Sequence, residues 1–338
     1  MLTIDGSQGE GGGQILRTSL ALAMCLGKAF QIKYIRATRP KPGLQPQHLA
    51  AVNAAATISR AEVNGARLGS QTLSFVPHHV QGGEYRFAIG TAGSTTLLFQ
   101  TLLPALMQAE HASHITLEGG THNPMAPPFE FLKYAFLPLI IRMGPDIKAS
   151  LVRPGYLPAG GGELNISIQP AKHLQPLDIL QRGKLLETRA EVMLSHLPSH
   201  IADRELAVIA QSLKLPASSL HVHFDTSAIG PGNCVSIIVR SEKVTEVFTA
   251  LGKRGLPAEQ VASRAVEQAS EYLASEIPVG HYLADQLLLP LALAGRGVFV
   301  TGPPSLHTGT NMAVITQFTR KSFKTEQLNP TSWSIQLV

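Results

Sequence analysis

The sequence predicts a mixed α/β (α+β) protein built from a βαβαββ unit repeated three times, with a smaller α/β domain inserted into the large domain that the repeats form. Three observations carry this reading. The chain has 338 residues, more than a single hydrophobic core usually organises. A pattern of glycine-rich turn, apolar helix, strand, polar loop and second helix recurs along it three times, the signature of an internal repeat. The first helices of the three copies start near 14, 95 and 283. The second interval therefore exceeds the first by about 100 residues, enough for an extra domain. The expected division is a large repeated-unit domain over 1–178 and 278–338 and an inserted domain over 179–277.

Taken in order, the first copy opens with the turn Gly9-Glu10-Gly11-Gly12-Gly13. Its apolar periodicity predicts a helix over 14–26, a strand over 30–35 and a second helix over 47–60. The second copy opens at Gly90-Thr91-Ala92-Gly93-Ser94, with a helix over 95–108, a strand over 114–117 and a helix over 129–143. The third opens at Gly280, with a helix over 283–294, a strand over 297–300, a loop over 301–311 and a helix over 312–318. Alternation predicts paired strands at 71–76 with 85–89 and at 147–152 with 163–168, and a closing strand over 332–338. Inside the insert, 186–194 and 235–240 read as strands, 203–213 and 261–274 as helices.

Composition excludes several classes. An apolar fraction of 44% and a mean hydropathy of +0.11 suit a packed globule, not a disordered chain. No window reaches about 18 uninterrupted apolar residues, so no membrane span is expected. The start, Met1-Leu2-Thr3-Ile4-Asp5, lacks the basic and apolar regions of a signal peptide. Cys25 and Cys234 are far apart and in no metal-ligand spacing, so a reduced, cytoplasmic setting is expected. The net charge of +5 permits an anionic partner. Lys33, Arg36, Arg39 and Lys41 fall together with no acid among them, a candidate phosphate contact.

The loops carry the chemistry. His307 stands in a Pro/Gly/Ser/Thr segment between a strand and a helix, where ligands meet backbone N–H groups. It suits a metal ligand, a proton shuttle, a nucleophile toward phosphorus, or a plain loop histidine bonded to a carbonyl. Glu10 among glycines suits a divalent cation beside phosphates, or complements a helix dipole. Arg17 follows two helical turns later. Tyr282 offers a ring for stacking, and Asp285 and Gln286 suit the polar edge of a purine. Gln100 is polar in an otherwise apolar helix, so it needs a core partner or a ligand.

Five segments, in order and spanning nearly the whole chain, together resemble the RNA 3′-terminal phosphate cyclases. They are Asp5-Gly6-Ser7-Gln8-Gly9-Glu10-Gly11-Gly12-Gly13-Gln14-Ile15-Leu16-Arg17, Arg36-Ala37-Thr38-Arg39-Pro40-Lys41-Pro42-Gly43-Leu44, Gly119-Gly120-Thr121-His122-Asn123-Pro124, Tyr282-Leu283-Ala284-Asp285-Gln286 and Ser305-Leu306-His307-Thr308-Gly309-Thr310-Asn311. The resemblance implies a three-step, ATP-dependent reaction. His307 attacks the α-phosphorus of ATP to form histidyl-AMP, AMP passes to an RNA 3′-phosphate, and the neighbouring 2′-OH displaces it to close a 2′,3′-cyclic phosphate. It further implies that Glu10 holds a divalent metal (Mg2+ or Mn2+). Gln100, Pro127, Phe131, Tyr282, Leu283, Ala284, Asp285 and Gln286 are implied to bind ATP. Arg17, Arg36, Arg39, Gln47 and His48 are implied to grip the RNA 3′-phosphate end. His122 departs from the family pattern. The expected partners are RNA ends and ATP, with no membrane and a homodimer open. The alternatives are a catalytically inactive cyclase-like RNA-binding or ribosome-assembly protein, and an enolpyruvyl-transferase-like enzyme on a related repeated architecture.

Overall fold

The same six-element unit is written three times along the chain, and each copy closes a sheet with the same strand order. The computed structural model describes residues 1–338. The first unit is β1 (Leu2–Asp5), α1 (Gly13–Leu26), β2 (Phe30–Lys33), α2 (Pro46–Ser59), β3 (Glu62–Asn64) and β4 (Leu73–Val76). The second is β5 (Glu84–Ala88), α3 (Thr95–Leu106), β6 (Ser113–Gly119), a π-helical turn at Phe131–Phe136 running into α4 (Leu137–Arg142), β7 (Asp146–Arg153) and β8 (Gly162–Gln169). Next comes β9 (Leu177–Ile179), then a separate group: β10 (Leu185–Ser195), α5 (His200–Leu213), β11 (Leu220–Asp225), β12 (Gly232–Ser241), β13 (Thr245–Leu251) and α6 (Ala258–Ala274). The chain ends with α7 (His281–Ala294), β14 (Gly297–Thr301), α8 (Leu306–Thr319), β15 (Phe323–Asn329) and β16 (Ser332–Leu337).

The three unit sheets run β1-β2-β4-β3, β5-β6-β8-β7 and β9-β14-β16-β15. In each, the first pair is parallel and the other two are antiparallel. This identity of strand order and direction bears out the mixed α/β fold of repeated βαβαββ units. The fourth sheet, β11-β10-β12-β13, carries α5 and α6 and has its own core of 16 buried residues. The three units share one core of 61 buried residues, to which Ile238 and Val247 of the fourth sheet and Val244, in the turn between β12 and β13, also contribute.

Three expectations need correcting. Residues 71–76 do not pair with 85–89: β4 pairs antiparallel with β3, and β5 opens the second unit parallel to β6. The third unit begins before the insert, because β9 pairs with β14. At three residues beside a proline, β9 is too short to show a periodicity. The last helix begins at Leu306 rather than 312. Ser305 and Thr308 form a capping box, so the helix starts inside a stretch whose Gly and Thr content reads as loop.

α1 sits at the centre, packed against α2, α3 and α8. Its sequence explains this: Ile15, Leu16, Leu20, Leu22 and Ala23 are all buried, an apolar surface too broad for a helix that lies on a surface. No helix is long and apolar enough to cross a membrane.

Candidate active site

The first helices of the three units converge on a cleft that opens to solvent. The sixth residues of α1, α3 and α7 are Thr18, Gln100 and Gln286, and all three line it. Pro104 and Pro290 lie four residues beyond the two glutamines, inside their helices. A proline has no N–H to give the carbonyl one turn back, so the Gln100 and Gln286 carbonyls lose their ordinary helical partner. Both side-chain amide atoms of Gln100 are buried without a partner. An amide left so costs stability unless something fills its bonds.

His307 occupies the second position of α8, exposed, on a firmly fixed first turn. The Thr308 N–H donates to Ser305 Oγ at 3.0 Å and the Ser305 N–H donates to Thr308 Oγ1 at 3.3 Å. Both hydroxyls donate to the buried Asp285 carboxylate, Ser305 at 3.3 Å and Thr308 in a shorter contact. Burial pushes Asp285 up, and the Thr308 bond draws it back. Asn311 Nδ2 donates to the Asp285 carbonyl at 2.9 Å, and Thr18 Oγ1 donates to Asn311 Oδ1 at 2.8 Å. Asp285 therefore ties α7 to the histidine-bearing turn. His307 Nδ1 lies 3.1 Å from Gln14 Oε1. With the amide oxygen accepting, Nδ1 carries the proton and Nε2 keeps a free lone pair.

The glycine-rich turn is braced on the same helix. Gly9 has φ +55°, and a Cβ there would stand 2.2 Å from Thr310 Oγ1. That close approach lets the Glu10 N–H donate to Thr310 Oγ1 at 2.9 Å. Arg39 pairs with the Glu10 carboxylate and donates to its carbonyl at 2.9 Å. Glu10 is thus oriented by Arg39 and not left free.

Beside this turn lies a group of basic side chains. Arg17, Arg36 and His48 surround the start of α1: a Cβ on Gly13 would meet His48 Nε2 at 2.4 Å and Arg17 Nη1 at 2.8 Å. Burial, then Arg36, pushes Arg17 down to about 10. Burial, then Arg17 and Arg36, pushes His48 down to about 3, so its ring is neutral. His48 Nδ1 accepts from the Gln45 N–H at 3.1 Å, which places the ring proton on Nε2. Arg36 holds φ +53° and its buried Nε has no partner. Converging donors at a helix N-terminus are the chemistry that suits an anion; the Glu10 carboxylate, paired with Arg39, stands against the N-cap Gly12 beside them.

The structure separates the other expected residues. Gln14, Arg17, Gln100, Asp285 and Gln286 share the cleft. Gln47 Oε1 accepts from the Ser94 N–H at 3.3 Å, at the cap of α3. Pro127 offers its carbonyl to Thr96 Oγ1 at 2.6 Å. Tyr282 is exposed beside His281. Phe131, Leu283 and Ala284 are buried in the shared core, and Phe136 rather than Phe131 lines the cleft. Sequence reasoning missed Glu246 of β13, a buried carboxyl group that accepts from the Gly280 N–H at 2.6 Å at the start of α7. A lone Glu in an apolar strand was the available signal.

A family model described as RNA 3′-terminal phosphate cyclase matches residues 8–325. A protein of Koribacter versatilis (strain Ellin345) named RNA 3′-terminal phosphate cyclase is 51% identical over 324 residues, covering 96% of this chain and 91% of that protein. One of the same name from Ectopseudomonas mendocina (strain ymp) is 46% identical over 336 residues, covering 99% and 98%. Among solved structures, the enolpyruvyl transferase NikO from Streptomyces tendae aligns with a TM-score of 0.38 at 12% identity, over 99% of this chain and 47% of that one.

Proposed function

Because the chain belongs to the RNA 3′-terminal phosphate cyclase family, we propose that its cleft converts an RNA 3′-phosphate to a 2′,3′-cyclic phosphodiester at the expense of ATP, through His307. The observation that carries this reading is the meeting, through Gln14, of a histidine with a free Nε2 and a cluster of buried basic donors at the start of α1. Gln14 lines the cleft and holds His307 Nδ1; Arg17 lies one turn further along α1.

In this scheme the Nε2 lone pair attacks the α-phosphorus of ATP, the bond to the β-phosphate oxygen breaks, and pyrophosphate leaves. Gln14 stabilises the charge that develops on the ring by accepting from Nδ1–H. The RNA 3′-phosphate, held by Arg17, Arg36 and His48, then takes AMP from His307. The adjacent 2′-OH attacks the 3′-phosphorus and AMP departs. Splitting the reaction this way turns a poor electrophile into one with a good leaving group. Gln100 and Gln286 read the nucleotide with their amides and freed carbonyls, Tyr282 covers its base opposite Pro127, and Asp285 acts by fixing the turn that bears His307. Gln47 and Arg39 set the walls of the phosphate site.

A single carboxylate suffices for a divalent cation held mainly by substrate phosphates. Glu10, oriented by Arg39, would hold it, and the ion would supply neutralising charge to the triphosphate. The large body built from the three units carries all of these residues, and cytoplasmic RNA ends are the substrate.

The test is α-labelled ATP with Mg2+ or Mn2+, followed by denaturing electrophoresis. The wild type is expected to retain acid-labile label and His307→Ala to lose it with its fold intact, since His307 is exposed and bonds only Gln14. No label in the wild type with either metal would sink the nucleotidyl-transfer reading and favour an RNA-binding relative.

A further inference from the structure

We propose that His122, Glu130 and Cys234 form a binding site for a borderline-soft divalent cation such as Zn2+, joining the second unit to the inserted sheet. This inference is independent of the reaction above. It rests on a constellation that no spacing in the sequence announces. His122 lies in the loop after β6, Glu130 immediately before the π-helical turn, and Cys234 on β12 of the insert. One donor atom from each lies within 4.8 Å of the others. All three are buried, at 1%, 6% and 1% exposure.

The donor set is one imidazole nitrogen, one carboxylate oxygen and one sulfur. That combination suits Zn2+ and its neighbours, and does not suit Mg2+ or Ca2+. Three donors leave a fourth tetrahedral position for water. The shell behind the donors is in place as well. His122 Nε2 faces Glu130 Oε2 at 2.9 Å, while Nδ1 meets Thr121 Oγ1 at 2.7 Å. Thr121 Oγ1 is itself held by the Gly155 N–H at 2.9 Å. A partner on the far nitrogen is what fixes the ring of a metal-bound histidine. The Tyr156 ring stacks on His122 with centroids 5.2 Å apart and planes 27° apart. Cys234 Sγ has only long contacts, to Ser236 Oγ at 3.7 Å and the Val235 carbonyl at 3.9 Å, so nothing strong has to be broken to recruit it.

Binding balances as follows. The Cys234 S–H bond breaks, a sulfur–metal bond forms, and the thiol proton leaves to solvent. The imidazole proton moves from Nε2 to Nδ1, where it donates to Thr121 Oγ1, and the metal takes Nε2. Glu130 contributes the second negative charge, so the ion is neutralised inside the protein.

Co2+ is the probe, because a thiolate bound to it gives a near-ultraviolet charge-transfer band that an ion bound by Glu10 or by phosphates does not. The full chain is refolded and, separately, incubated natively with one equivalent of Co2+, and competed with Zn2+. The band is expected in the wild type and in Cys25→Ser, abolished by Zn2+ and absent from Cys234→Ser. Elemental analysis after gel filtration is expected to show one tightly held Zn2+ per chain. Absence of the band from the wild type after refolding, or its survival in Cys234→Ser, overturns the proposal. If Cys234→Ser does not fold, Glu130→Gln decides: it keeps the bond to His122 but is a poorer ligand, so at least tenfold weaker Zn2+ retention is expected, and unchanged retention counts against the site.

Discussion

Replacing Arg17 with methionine should make the protein more stable and worse at its task. The magnitude follows from the electrostatics of the α1 N-terminus. Burial, followed by Arg36, lowers the guanidinium from 12.5 to about 10. At ~1.4 kcal/mol for each pH unit, folding with this charge in place costs up to about 3 kcal/mol. A base whose folded-state value is depressed imposes that cost at every pH below about 10, and it fades only as pH rises through that value. Arg17→Met keeps an apolar stem and removes the charge, so a gain of ~1–3 kcal/mol at neutral pH is expected, the lower figure applying if solvent reaches the guanidinium. Urea unfolding can be followed through Trp333, the single tryptophan, which lies on β16 in the third sheet. The same titration in rising phosphate adds the decisive comparison, because a ligand that binds only the folded state stabilises it by mass action. Phosphate should stabilise the wild type and have a much smaller effect on Arg17→Met. His48, relieved of the Arg17 charge, should titrate above its present value near 3, visible by NMR. A variant less stable than the wild type at neutral pH, or one that phosphate stabilises equally, would refute the anion-site argument.

Gln100→Leu removes a buried amide with no partner, so it should raise the stability of the nucleotide-free protein by ~1–3 kcal/mol and weaken ATP binding, measured by calorimetric titration. Glu246 is raised to about 8 by burial, which its bond from Gly280 only partly offsets. Its favourable contribution is therefore complete below the ordinary carboxyl value and drains away as pH rises through about 8. Glu246→Gln should flatten the fall in unfolding midpoint between about pH 5 and 8, leaving the part owed to Glu205, whose carboxyl burial lifts to about 7. Gly9→Ala, strained at positive φ and facing Thr310, should cost ~1–3 kcal/mol. Gly309→Ala, with open space around its Cβ, should gain up to ~1 kcal/mol as a helix residue in the same denaturation assay.

How much of this was legible depended on the range of the signal. The repeat could be read because each copy places small residues before a long apolar helix, and both features are local. Gln100 stood out because an amide among leucines is anomalous wherever the helix packs. Strand partners were harder: β3 is three residues and mostly exposed, so the stronger signal at 85–89 attracted the pairing that β3 makes. The start of α8 was hidden because Pro, Gly and Thr outweighed the Ser305 cap. The roles of Arg39 and Asp285 as braces, and the meeting of Cys234 with His122, depend on contacts across distant segments. Local pattern does not encode such contacts.

The position of β9 has a consequence for how the protein is made. Leu177 pairs with Gly297, so about 120 residues of chain must emerge before that partner exists, a separation that adds little closure entropy compared with shorter loops. During synthesis the first two units and the whole insert are complete while β9 is still a stub. The third sheet and α8 come last, and with them His307. A message truncated after α6 would yield two finished sheets and an insert, but Leu177 and Ile179 would have no sheet to enter and the nucleophile would be missing. Such a product would be sticky and inert, a natural substrate for quality-control proteolysis rather than a competitor for RNA ends.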